Sequence, residues 1–119
     1  MTAPGRPVGT ARLDDQDVQD LLTAASDGIG YWCTRLQVST ANRLVRITER
    51  TYDQTAQYTL TFDHLADTYA GILTHEECLG PMLHGYFRSA AEENDLGWID
   101  AGAADAWLQI ATFGHARHG

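Results

Sequence analysis

Residues 31–62, YWCTRLQVSTANRLVRITERTYDQTAQYTLTF, decide the fold. Trp32, Thr34, Leu36 and Val38 alternate with Tyr31, Cys33, Arg35 and Gln37. The run STANR, 39–43, is a turn candidate through Ser39 and Asn42. Val45 and Ile47 then alternate with Leu44, Arg46, Thr48, Arg50 and Tyr52. Asp53 and Gln54 break the pattern, and Tyr58, Leu60 and Phe62 alternate with Gln57, Thr59 and Thr61. A period of two is that of a pleated strand, whose successive side chains face opposite ways. The stretch therefore predicts three antiparallel strands in a meander. One face is apolar and needs a cover. The other carries Arg35, Arg46 and Arg50.

The cover comes from the flanks. Upstream, Asp14 is a good helix cap, and Leu13 and Val18 stand at staple positions around it. Asp15 and Asp17 fall in the first turn, where the helix dipole favours anions. Val18, Leu21, Leu22 and Ala25 follow helical spacing, and Gly28 is expected to stop the helix, giving a first helix over 14–27. Downstream, Thr61 or Asp63 caps a second helix whose stripe is Phe62, Leu65, Ala66, Tyr69, Ile72 and Leu73, ended by Gly80 and Pro81. A third helix is read over 82–93, with Leu83, Tyr86, Phe87, Ala90 and Ala91 on one face. Asp100 caps a fourth that runs to Phe113, lined by Ala104, Trp107, Leu108 and Ala111 and stopped by Gly114. A three-stranded meander is stable only under such a layer. The expectation is an α+β domain of two layers in the order αβββααα, about four helices covering one face of the sheet. Residues 13–119 form one domain. Residues 1–12, with Pro4, Gly5, Pro7 and Gly9, read as a flexible N-terminal tail.

Charge narrows the partners. Eight arginines, with no lysine, stand against sixteen Asp and Glu, a formal charge of −8. That balance repels phosphate backbones, so direct nucleic-acid binding is not expected. No stretch approaches the ~18 apolar residues of a membrane span. The first eleven residues hold no apolar core of a signal peptide, so the cytoplasm is the expected location. The charge is uneven. Asp14, Asp15, Asp17, Asp20 and Asp27 share the first helix without a cation, while Arg35, Arg43, Arg46 and Arg50 share the hairpin with Glu49 alone. Two docking surfaces are one reading and two solvated faces the other. The acidic set Asp14, Asp15, Asp17 and Asp20 is the candidate partner-binding surface. Arg35, Arg46 and Arg50, whose guanidinium forks suit phosphate or carboxylate, are the alternative, an anion-binding surface. Two strand edges and the uneven charge leave room for a homodimer.

No constellation names a reaction. His64, His75, His84, His115 and His118, with Cys78, are raw material for zinc, and His75 and Cys78 fall at i, i+3. No paired CxxC or HExxH completes such a set, and histidines on the surface near helix ends are the plainer reading. Cys33 and Cys78 make no disulfide framework and read as reduced. Glu76/Glu77 and Glu92/Glu93 are adjacent and point apart on a helix. Gly28-Ile29-Gly30 lacks the length of a phosphate loop. Asp105 and Gln109, at i, i+4, can bond on one face of the fourth helix. No catalytic residue, metal or cofactor is named.

Three segments carry a resemblance. Residues 13–33, LDDQDVQDLLTAASDGIGYWC, resemble the opening of a family of small acidic proteins from bacteriophages, plasmids and other bacterial mobile elements, mostly uncharacterised. Residues 99–114, IDAGAADAWLQIATFG, are similar to its closing motif, and 58–73, YTLTFDHLADTYAGIL, to its strand-to-helix turn. Here Ile29 separates the glycine pair, and HARHG stands where the family usually ends apolar. The resemblance marks Tyr31, Trp32, Asp105, Gln109, Phe113 and Gly114 as family positions, and implies no activity. With the small size and acidic surface, it leads to the expectation of a non-enzymatic interaction protein. Such a protein would bind a host protein or complex as an inhibitor, for example of a defence system, or as an adaptor. The alternative is a module that binds a nucleotide-like anion.

Overall fold

The computed structural model describes residues 13–74, 81–93 and 95–118. The expected tail over 1–12, the stop at Gly80, His75 and Cys78 lie outside the described residues. Seven elements follow in the order αβββααα: α1 Asp15–Ser26, β1 Cys33–Ser39, β2 Leu44–Arg50, β3 Thr55–Thr61, α2 Phe62–Thr74, α3 Pro81–Glu93 and α4 Ala101–Phe113. A short 3-10 helix, Leu96–Trp98, precedes α4. Asp95 makes it, accepting from the Gly97 amide at 2.9 Å.

The strands form one antiparallel sheet in the order β1-β2-β3. Ile47 stands opposite Leu36 and Tyr58, and Val45 opposite Val38 and Leu60; these residues share the face that the helices cover, with Val38 exposed at its rim. Arg46 stands opposite Gln37 and Thr59, and Thr48 opposite Arg35 and Gln57, on the uncovered face. Strict alternation fails in β1. The register shifts between Cys33 and Arg35, leaving Thr34 as the extra residue of a bulge. Cys33 consequently turns to the core, opposite Glu49, instead of outward with Arg35. Adjacent Trp32 and Cys33 are both buried, which a period of two alone does not allow.

The helix ends show why these segments stop where they do. Asp14 caps α1 and forms a reciprocal box with Asp17, each carboxylate accepting the other's amide. Thr61 caps α2 by accepting from the His64 amide at 3.0 Å. Gly114 ends α4 in the left-handed region, φ 84°. Gly28 does not have that conformation; α1 passes into right-handed Asp27, and the described left-handed residues are Arg43 and Gly114. A Cβ built at Gly28 would lie 3.6 Å from the Ala101 Cβ, an ordinary contact, so the exit of α1 lies beside the start of α4.

α4 is the centre of the molecule. Every residue from Ala103 to Gln109 is buried, and the helix packs against α1, α2, α3 and β3. Its alanines let neighbouring backbones come close, and Trp107 fills the volume they leave. The Trp107 indole donates to the Leu65 carbonyl on α2 at 3.1 Å. The stripe Phe62, Leu65, Ala66, Tyr69, Ile72 and Leu73 of α2 is wholly buried, as its spacing predicts. No helix among the described residues is long and apolar enough to cross a membrane.

Candidate functional site

A helix buried on all sides must hide its polar residues too, and α4 hides Asp105 and Gln109. Their partners come from the entry to β1. The Asp105 carboxylate accepts from the Tyr31 hydroxyl at 2.6 Å, the Trp32 indole at 2.8 Å and the Gln109 amide at 2.9 Å. Gln109 also donates to the Tyr31 oxygen at 3.1 Å. Phe113, one turn on, meets Trp32 edge-on at 5.5 Å, and Gly114 ends the helix beside it. The structure thus gathers Tyr31, Trp32, Asp105, Gln109 and Phe113 into one cluster. Burial of the phenol, and then its bond to Asp105, push the Tyr31 pKa up to about 12. A carboxylate with three donors is held in place.

The same amide grips the segment after α4. The Gln109 Oε1 accepts the backbone N–H groups of Arg117 and His118 at 2.8 and 2.6 Å, and its Nε2 donates to the His118 carbonyl at 3.3 Å. The His118 ring stacks on Trp32, 5.4 Å apart and 7° from parallel. Its Nε2 lies 2.6 Å from Oε2 of Glu49, and the Arg117 Nε lies 3.2 Å from the same oxygen. The Arg117 guanidinium also covers the Phe113 ring at 4.9 Å. Glu49 is fully buried on β2, with the Tyr58 hydroxyl donating to its other oxygen at 3.2 Å. Sequence reasoning missed Glu49, Arg117 and His118. One signal was present: Glu49 continues the inward series Val45, Ile47, and a carboxylate at an inward position demands a cation. Nothing in the sequence says that the cation follows 68 residues later, from HARHG.

The acidic candidates divide. Asp14, Asp17 and Asp20 line a groove of about 640 Å³ together with Asp95, over an apolar floor that includes Leu21, Leu96 and Ile99. Asp15 faces elsewhere. The Arg43 fork reaches it twice, at 2.8 and 2.9 Å, and reaches Asp63 at 2.8 Å. That contact holds the Asp15 carboxyl below the usual range and raises the Arg43 pKa. Arg43 therefore belongs to the acidic side of the molecule and does not join the arginines of the sheet. Arg35, Arg46 and Arg50 do share one face, exposed, among Thr and Gln side chains.

His64 and His115 are exposed, as expected of histidines near helix ends, whereas His84 is buried. The His84 Nε2 lies 3.3 Å from the Leu73 carbonyl, and His64 reaches the Ala111 carbonyl at 2.7 Å. Each sews two helices together. Among the described residues no three His, Cys, Asp or Glu converge on a metal position. Cys33 is buried, and burial raises its thiol pKa, which opposes thiolate chemistry. Comparison with known proteins finds no matching family model, no matching curated protein and no matching solved structure.

Proposed function

We propose that the chain works by binding: its acidic groove receives a basic segment of a host protein, and the chain acts as an inhibitor or adaptor of that protein's complex. The groove beside α1 carries the reading. Exposed Asp14, Asp20 and Asp95 ring an apolar floor. Carboxylates around apolar surface suit Arg or Lys side chains, which lay their stems on the floor and their charges on the rim. Such complementarity speeds encounter and selects partners more than it tightens them. The resemblance to small acidic proteins of phages and plasmids points the same way.

The test is capture from nuclease-treated bacterial lysate, followed by affinity measurement on the identified partner. The double variant Asp14→Ser with Asp20→Arg keeps a capping side chain and removes negative charge. It should weaken binding by roughly tenfold or more, chiefly through the on-rate. Arg46→Ala should not weaken it. Binding that is unchanged in the double variant defeats the reading.

One observation favours a second reading. Arg35, Arg46 and Arg50 lie on one exposed face and suit a nucleotide-like anion. On that reading a nucleotide raises the melting temperature, and Arg46→Ala abolishes the rise. No shift across a panel of nucleotides removes it.

A further inference from the structure

We infer that Trp32, Glu49, Gln109 and Phe113 form a receptor cleft for a short basic peptide, which residues 115–118 occupy as a displaceable strap. The proposal is independent of the acidic groove, since it uses none of those residues.

The contacts are of the kind that recognise peptides. Gln109 reads backbone, taking the N–H groups of residues 117 and 118 and the carbonyl of 118. One slot takes a flat ring, stacked on Trp32 and tipped against Phe113 at 5.7 Å. A second takes a guanidinium over Phe113. Glu49 serves both slots. The ligand class follows: a segment with a cation next to an imidazole or another flat ring, its backbone free to pair.

The walls do not depend on the strap. Trp32 and Gln109 are tied to Asp105, and Glu49 to Tyr58, all within the helices, the sheet and their connection. The strap itself is slight. It begins at Gly114, whose left-handed backbone turns the chain out of α4, and His115, Ala116 and Arg117 are exposed. Removing it takes the Arg117 guanidinium and the His118 ring nitrogen away from the Glu49 carboxylate, which lies buried with them in place. An emptied cleft therefore favours refilling by another basic segment over remaining open. Because the strap is tethered, it competes at an effective concentration of order millimolar. A partner must outbid it, which makes the strap a threshold against weak, unspecific basic peptides.

Two measurements decide. The first is amide hydrogen exchange on the unmodified chain. The Arg117 and His118 amides should exchange about a hundredfold faster, or more, than those of Leu108 and Ile110, reporting local opening. Exchange at the α4 rate means the segment leaves only on global unfolding, and overturns the proposal. The second is NMR titration with the peptide His-Ala-Arg-His-Gly, capped at both ends. The full-length double variant Arg117→Ser with His118→Ser should bind it at Tyr31, Trp32 and Gln109, roughly tenfold or more tighter than the unmodified chain does. Adding Glu49→Gln should abolish that binding. Absence of shifts at those residues, or equal binding by the unmodified chain, equally overturns it.

Discussion

Asp105 is the residue on which most depends. It joins the entry of β1 to the middle of α4 through Tyr31, Trp32 and Gln109. Asp105→Ala leaves the buried Trp32 indole N–H without its acceptor and takes one of three acceptors from the Gln109 amide. The expected loss is about 2–4 kcal/mol in urea unfolding. Tyr31→Phe removes one donor from a carboxylate that keeps two, and should cost about 1 kcal/mol. The tyrosine also sets a pH dependence. Its pKa is raised from 10 to about 12 in the folded chain, so the folded state favours the protonated phenol. That stability is complete below pH 10 and drains away as the pH rises towards 12. The advantage of the unmodified chain over Tyr31→Phe should therefore shrink above pH 10. In absorbance titration at alkaline pH, the step near 12 should vanish in the variant.

Among the elements, α2 was the most legible in sequence and β1 the least. The stripe of α2 repeats at helical spacing, and all six of its residues are buried. β1 alternates cleanly in sequence, yet the bulge at Thr34 reverses the facing of Cys33. A bulge follows from pairing with β2, a non-local fact that periodicity does not contain. α4 shows a similar limit. Its caps at Asp100 and Gly114 are local chemistry and were readable. Its burial on every side comes from four neighbours, and so does the role of Gln109. The candidate surfaces were legible as charge runs, but the separation of Asp15 from Asp14, Asp17 and Asp20 needed the position of Arg43. The cap carries a prediction at this scale. Gly114→Ala forces a Cβ into the left-handed region and should cost about 1 kcal/mol in thermal unfolding. It should leave the helical circular dichroism of the folded protein unchanged.

In the whole molecule, one helix belongs to every part of the core. α1, α2, α3 and β3 all pack on α4, which is buried over most of its length. Unfolding should therefore be a single transition. Tryptophan fluorescence, which samples Trp32 at the sheet and Trp107 among the helices, should give the same urea midpoint as far-ultraviolet circular dichroism. Two separated midpoints would contradict a shared core. The place of α4 in the chain gives this architecture a consequence for synthesis. The helix on which everything rests is translated after the sheet and the other helices, at residues 101–113. At roughly 5–20 residues per second, the earlier elements wait several seconds on the ribosome with their apolar faces uncovered. Through that interval the aspartates of α1, which carry no cation among them, should help to keep the emerged chain in solution. A message cut short before the codons for α4 should yield a chain that lacks the helix on which α1, α2, α3 and β3 pack, and so one for chaperones and proteases.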